Sequence, residues 1–280
     1  MGRMQDPPQR DDAQPHTSPV FVLSCPRSGS TLLRYILDTH PAIWSPGELA
    51  LGRLIKAHRF TLTRVHAIAA GLDAEKTCQR EVRTLITGLM TRETAARGKS
   101  VWCDKTPENL SFLPEIAWTF PDARFLCLYR KSLDVVHSSL EASRWGFMEE
   151  LAPSAARAPQ NLVEAMLENW AAMTSRMLAL EASGARCFRI YYEGLVNAPE
   201  STMNQVCAFL GLPWDDGILA RVFAQPHEAG GGDYEIRRLS SIDGSRIGRG
   251  AEIPLAVLAR VSPAVAARCA DLHLELGYPC

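Results

Sequence analysis

Three cations in this chain each stand just past a short apolar run: Arg27 after "PVFVLSC", Lys105 after "SVWC" and Arg130 after "RFLCLY". Around the first, the sequence reads Cys25-Pro26-Arg27-Ser28-Gly29-Ser30-Thr31-Leu32, and Leu32, Leu33, Ile36 and Leu37 follow at helical spacing. A Gly/Ser turn that opens a helix offers unpaired backbone N–H groups and the positive end of the helix dipole, so it suits an anion. Laid over the nucleotide loop G-x-x-x-x-G-K-[ST], Gly29 and Thr31 fit, but Ser24 replaces the first glycine and Ser30 the lysine. Basic residues often follow strands merely to solvate a sheet edge. Three of them beside such a loop argue for an anion site.

Which anion is a matter of charge. A kinase-like nucleotide-binding protein needs the loop lysine and an acidic residue closing a later strand to hold Mg²⁺. Arg130 stands at such a strand end and would repel a metal, so none is expected. A cysteine-dependent phosphatase would use Cys25 as a thiolate, cradled by an arginine six residues on, where this chain has Thr31. Cys25 therefore reads as a packing residue. A third chemistry moves a group that needs no metal from a carrier with several phosphates. Sulfonate fits, because its lower charge needs less neutralisation than a phosphoryl group.

The elements that must position these residues alternate. Apolar runs at 19–25, 100–104, 124–129 and 186–192 read as strands, with helices expected over most of 49–97 and over 108–120, 132–142, 161–183, 199–211 and 255–276. Alternation of this kind predicts a three-layer α/β/α protein with a central parallel sheet, whose ligands sit at the carboxyl ends of the strands near a topological switch point. Residues 1–18 are polar and proline-dotted and are expected to be a disordered tail. Residues 19–280 read as a single domain without repeat or linker.

Composition bounds the partners. The chain has 280 residues, 46% hydrophobic and 22% charged, with a formal net charge of −1. That balance gives no global pull toward nucleic acid or a membrane surface, so an anion site has to be built locally. No apolar run reaches the ~18–20 residues of a membrane span, and the N-terminus lacks the apolar stretch of a secretory signal. The eight cysteines form no C-x-x-C pair, and several fall in strand-like runs, which points to buried free thiols in a reduced, cytoplasmic setting.

Read in order, "CPRSGSTLLRYILDTHP", "DKTPEN", "FPDARFLCLYRKSLDVVHSSL" and "YYEGLVNAPESTMNQVCAFLGLPW" resemble the sulfotransferases that use 3′-phosphoadenosine-5′-phosphosulfate (PAPS). The pattern is similar to the branch of the tyrosylprotein sulfotransferases and their bacterial small-molecule relatives. Each motif alone is weak; all in order over residues 19–254 are specific. The resemblance implies a P-loop-like sulfotransferase fold, PAPS as donor, its product PAP and no metal. It implies that Arg27, Ser28, Gly29, Ser30, Thr31 and Leu32 wrap the 5′-phosphosulfate, and that Arg130 and Ser138 bind the 3′-phosphate. Tyr192 lies beside the nucleotide, and Arg249-Gly250 in "SRIGRG" closes over the 3′-phosphate, with Arg246 an alternative. An arginine that the family often carries about a turn after Ser138 is replaced by Ala142, with Arg144 nearby.

For chemistry, the resemblance makes Glu48 in "SPGEL" the general base and Lys105, with Arg27, a contact to the transferring group. A carboxylate there could instead cap the helix that begins near Leu49. Other members use a histidine; His40 and His137 are the candidates, and both read as structural. A binding module that had lost the chemistry would lack Arg27, Lys105 or the acidic residue, and all three are present. The acceptor-shaping segments, Leu49–Gly98, Arg144–Gln160 and Gln225–Arg238, carry no basic stripe, which disfavours a long polyanion. A small-molecule, natural-product or lipid-like hydroxyl acceptor is expected, with glycan and protein-tyrosine acceptors as alternatives, and a monomer or homodimer.

Overall fold

A computed structural model describes residues 18–69, 74–143, 155–156, 161–228 and 234–278. Residues 1–17 of the expected tail, and Arg144, lie outside the described residues. Among them, five strands form one sheet: β1 (Val20–Ser24), β2 (Ile43–Trp44), β3 (Val101–Lys105), β4 (Arg124–Tyr129) and β5 (Arg186–Tyr191). Their order is β2-β3-β1-β4-β5, and every pairing is parallel. From β1 the chain moves outward to one side for β2 and β3, then returns to the other side for β4 and β5. The switch point therefore falls at β1, and the ends of β3, β1 and β4 lie side by side.

Alternation along the strands divides the core into two layers. Phe21, Leu23, Trp102, Phe125, Cys127 and Tyr129 face one helical layer, and Val20, Val22, Cys103, Leu126, Leu128 and Ile190 face the other. Helix α1 (Ser30–Thr39) covers the second face. Helices α2 (Leu51–Ala69), α3 (Ala74–Ala95), α4 (Leu113–Thr119), α5 (Ser132–Ser143) and α6 (Leu162–Ala182) gather on the first. Phe21 is fully buried, edge-on to Trp102 at 5.8 Å and stacked on Phe125 at 5.9 Å. Burying one such side chain contributes about 1.5–3 kcal/mol. This packing fixes the depth of β1 and hence of the loop that follows it. The three-layer α/β/α expectation is met.

The departures have local causes. Strand β2, missed in the sequence, is only two residues long. The helix expected over 108–120 is a 3₁₀ turn, Pro107–Ser111, followed by α4, because Pro114 suits only a helix's first turn. After Tyr191 the chain enters α7 (Tyr192–Asn197), so Tyr192 opens a helix instead of ending a strand. Helix α8 (Pro199–Leu210) stops at Gly211, which is left-handed at φ 67°. Beyond α9 (Gly217–Arg221), the helix expected over 255–276 is two, α10 (Leu255–Leu258) and α11 (Pro263–Glu275). Pro263 forces Ser262 into extended backbone and so breaks it.

Candidate active site

The loop between β1 and α1 is tight. The Ser28 N–H donates to the Cys25 carbonyl at 3.2 Å, and the Leu33 N–H to Gly29 at 3.2 Å, which starts α1. Arg27 takes φ 68°, a left-handed conformation that costs a non-glycine residue on the order of 1 kcal/mol. Gly29, at φ 92°, packs directly on the Tyr192 ring; a Cβ there would lie 2.3 Å from a ring carbon. Ser30, Thr31 and Leu32 form the buried first turn of α1, with no acidic side chain beside their N–H groups.

The loop and β4 share one cluster of cations. Arg27 Nε donates to Ser138 Oγ of α5 at 3.2 Å. Arg130, only 4% exposed, donates from Nη1 to the Arg27 carbonyl at 2.9 Å and from Nη2 to the Arg246 carbonyl at 2.7 Å. Its guanidinium lies 4.2 Å from the centre of the Tyr192 ring, on whose edge Gly29 also packs. Trp170 of α6 holds the Arg130 carbonyl at 3.0 Å. Two buried polar atoms here, Arg130 Nε and Ser28 Oγ, have no hydrogen-bond partner. Such orphaned groups call for a ligand. An oxygen-rich anion would satisfy both.

The second group sits at the end of β3. Lys105, 1% exposed, donates to Glu48 Oε1 at 2.5 Å. Burial pulls the lysine pKa down, and the Glu48 charge opposes that pull. Glu48 does not cap the helix after it. The amides of Leu49, Ala50, Leu51 and Gly52 are taken by the side chains of Asp104, Thr106 and Asn109, so the carboxylate is left to Lys105. Asp104, Thr106 and Asn109 were not singled out in the sequence; the signal was "DKTPEN", whose polar residues bracket the lysine.

Other candidates have different surroundings. Arg249 is engaged by carboxylates: Nη1 reaches Glu141 at 3.0 Å and Nε reaches Glu252 at 3.0 Å. Arg246 lies close enough for its charge to depress the Arg130 pKa, although burial does most of that. Gly250 packs on Leu133, where a Cβ would meet Leu133 Cβ at 2.5 Å. Its N–H and that of Gly248 donate to the two oxygens of buried Asp134 in α5, at 2.7 and 2.9 Å. His40 accepts from Ala42 N through Nδ1, and its Nε2 meets the Pro213 carbonyl. His137 lies against Glu141 and Glu252. Both therefore have partners within the protein. Burial pushes the Cys25 thiol far up, as befits a packing residue.

A parallel sheet in this order, with a tight Gly/Ser loop opening a helix at its switch point, makes the chain a three-layer α/β/α protein. The family model for the sulfotransferase family matches residues 19–216, and the chain belongs to that family. It is 27% identical over 206 residues to protein-tyrosine sulfotransferase 2 of Gallus gallus, covering 71% of this chain and 53% of that one. It is also 27% identical over 293 residues to nodulation protein NoeE of Sinorhizobium fredii, covering 95% and 67%. The chain spans about half the length of the curated tyrosine sulfotransferase of Gallus gallus. Among solved structures, the sulfotransferase domain from the curacin biosynthetic pathway superposes with a TM-score of 0.70 at 22% identity, over 94% of this chain and 98% of that one. The sulfotransferase domain from the Synechococcus PCC 7002 olefin synthase gives 0.69 at 21% identity, each chain fully covered.

Proposed function

We propose that this chain transfers the sulfonate of PAPS to a hydroxyl of a small-molecule, natural-product or lipid-like acceptor. The observation that carries the reading is the contact of Glu48 with buried Lys105, beside the Arg27 loop, in a chain of this family. PAPS supplies the sulfonate and a phosphate leaving group. The loop amides and Arg27 hold the 5′ end, Arg130 and Ser138 the 3′-phosphate, and Arg249 or Arg246 adds charge on that side. Glu48 takes the proton of the acceptor hydroxyl as its oxygen forms a bond to sulfur. The sulfur–oxygen bond to the 5′-phosphate breaks, and its electron pair stays on the phosphate oxygen. Lys105 faces the charge that develops there, and its depressed pKa makes proton donation easier.

Glu48→Gln tests the reading. It keeps the size of the side chain and removes proton acceptance, so turnover should fall by roughly 10²–10⁴. PAP affinity should hardly move, while the melting temperature should fall, because Lys105 loses the charge that offsets its burial. Near-normal turnover on both a phenol and an alkyl alcohol would remove Glu48 from the mechanism. The identity to a protein-tyrosine sulfotransferase favours a second acceptor, the phenol of a tyrosine. Labelled PAPS offered to alcohols, phenols, glycans and a tyrosine peptide separates the two; label confined to the peptide would replace the first reading.

A further inference from the structure

Helix α2 begins one residue after a sharp bend. Ala50 takes φ 52°, and the chain turns there between Glu48 and the helix. Four successive amides at that start are satisfied by side chains from one short stretch that closes β3 and runs just past it. Asp104 accepts from Leu49 N at 3.5 Å through Oδ1 and from Leu51 N at 3.2 Å through Oδ2. Thr106 Oγ1 accepts from Ala50 N at 3.0 Å and donates to Asp104 Oδ1 at 2.6 Å. Asn109 Oδ1 accepts from Gly52 N at 3.0 Å, while its Nδ2 donates to Asp104 Oδ2 at 2.8 Å. Gly52 permits the approach, because a Cβ there would stand 2.9 Å from Asn109 Oδ1 and 2.6 Å from Phe112 Cβ. Asp104 and Asn109 are fully buried, and Thr106 nearly so.

Capping a helix needs less than this, since water commonly serves some of its first amides. The stretch that does the capping also carries Lys105, between Asp104 and Thr106. We propose that Asp104, Thr106 and Asn109 are positioning residues that set the Glu48 carboxylate against Lys105. They fix the backbone immediately after Glu48 to the backbone on both sides of the lysine. The acid–base pair, drawn from residues 57 apart in sequence, is thereby held as one rigid unit. This rests on the reading of Glu48 as the base.

The test is a mutant cycle of Asp104→Asn and Glu48→Gln, with 2-naphthol as acceptor probe and PAPS as donor. Asp104→Asn keeps shape but turns a donor toward one of the amides. It should lower kcat at least tenfold and shift the acid limb of the pH–kcat profile, with PAP affinity and KM for PAPS within about twofold. Added to Glu48→Gln, it should change the rate by less than about twofold, because the group it positions is already gone. Hydrogen exchange of a peptide spanning residues 45–55, measured with PAP bound, should quicken while the 25–33 loop stays protected. Thr106→Val should behave like Asp104→Asn and Thr106→Ser like wild type, and this pair carries the test if Asp104→Asn does not fold. An equal loss from Asp104→Asn in both backgrounds, or normal kcat with quickened exchange, overturns the proposal. Wild-type turnover in Glu48→Gln alone, on an alkyl alcohol as well as on 2-naphthol, would instead overturn the base reading on which it rests.

Discussion

Arg130 carries the residue-scale argument. Its two terminal nitrogens tie the loop backbone to the Arg246 segment, and its Nε is buried without a partner. Arg130→Ala should remove a charge-assisted contact to the donor's 3′-phosphate worth about 1.5–3 kcal/mol, or roughly tenfold or more in PAP affinity. Ser138→Ala should act in the same direction but less, because Arg27 also holds that hydroxyl. Calorimetric titration with PAP checks both, and unchanged affinity in Arg130→Ala would reject the assignment. Arg27, Lys105 and Arg130 were legible in the sequence because a strand-end cation needs only the strand to be recognised. The Asp104 network was not legible, because its partners lie 53–57 residues away and no local pattern announces a side chain that caps another segment's helix.

At the scale of elements, α5 depends on the last helix. The Ser132 N–H at its start donates to His273 Nε2 of α11 at 3.2 Å, and that ring is packed edge-on to Trp170 and Tyr278. Burial lowers the His273 pKa, and Lys131 nearby lowers it further. The neutral ring is therefore the form the fold favours. Its contribution is fully present above the ordinary histidine value of about 6.5 and is lost as pH falls through the lower folded value. His273→Gln keeps an acceptor that does not titrate, so its melting temperature should decline less than that of wild type between about pH 7 and 5. Parallel declines would exclude His273 as a source of acid sensitivity. Strands β1, β3 and β4 were readable because they are buried on both faces and largely apolar; β5, a half-buried edge strand, was readable from Cys187, Phe188, Ile190 and Tyr191. Strand β2 was not, since two residues that owe their pairing to β3 carry no periodicity.

At the scale of the whole molecule, the cations gathered at the carboxyl ends of the inner strands, in a chain of net charge −1, predict a stabilising ligand. At a concentration about 100 times its Kd, PAP should add about 2.7 kcal/mol to the stability, or several degrees in melting temperature for a chain of this size. The shift should persist in EDTA, because Arg130 stands where a kinase-like site would carry its metal-holding acid, and ATP should do little. A shift that requires Mg²⁺ would return the kinase reading to first place. Thermal-shift titration distinguishes these outcomes.

The contacts that make the site are long closures. Glu48 meets Lys105 across 57 residues, Arg27 meets Ser138 across 111, and Arg130 meets the Arg246 carbonyl across 116. Closures of this length are slow, because chain entropy must be overcome before any contact rewards it. The helices form from local contacts and can appear early. The proposed donor cradle is complete only when the segment around residue 246 has arrived, so the proposed site should be among the last parts of the protein to form. Refolding followed by PAP binding should therefore lag behind refolding followed by helical circular dichroism, and a newly made chain passes through a stage that is already helical and not yet able to bind its donor.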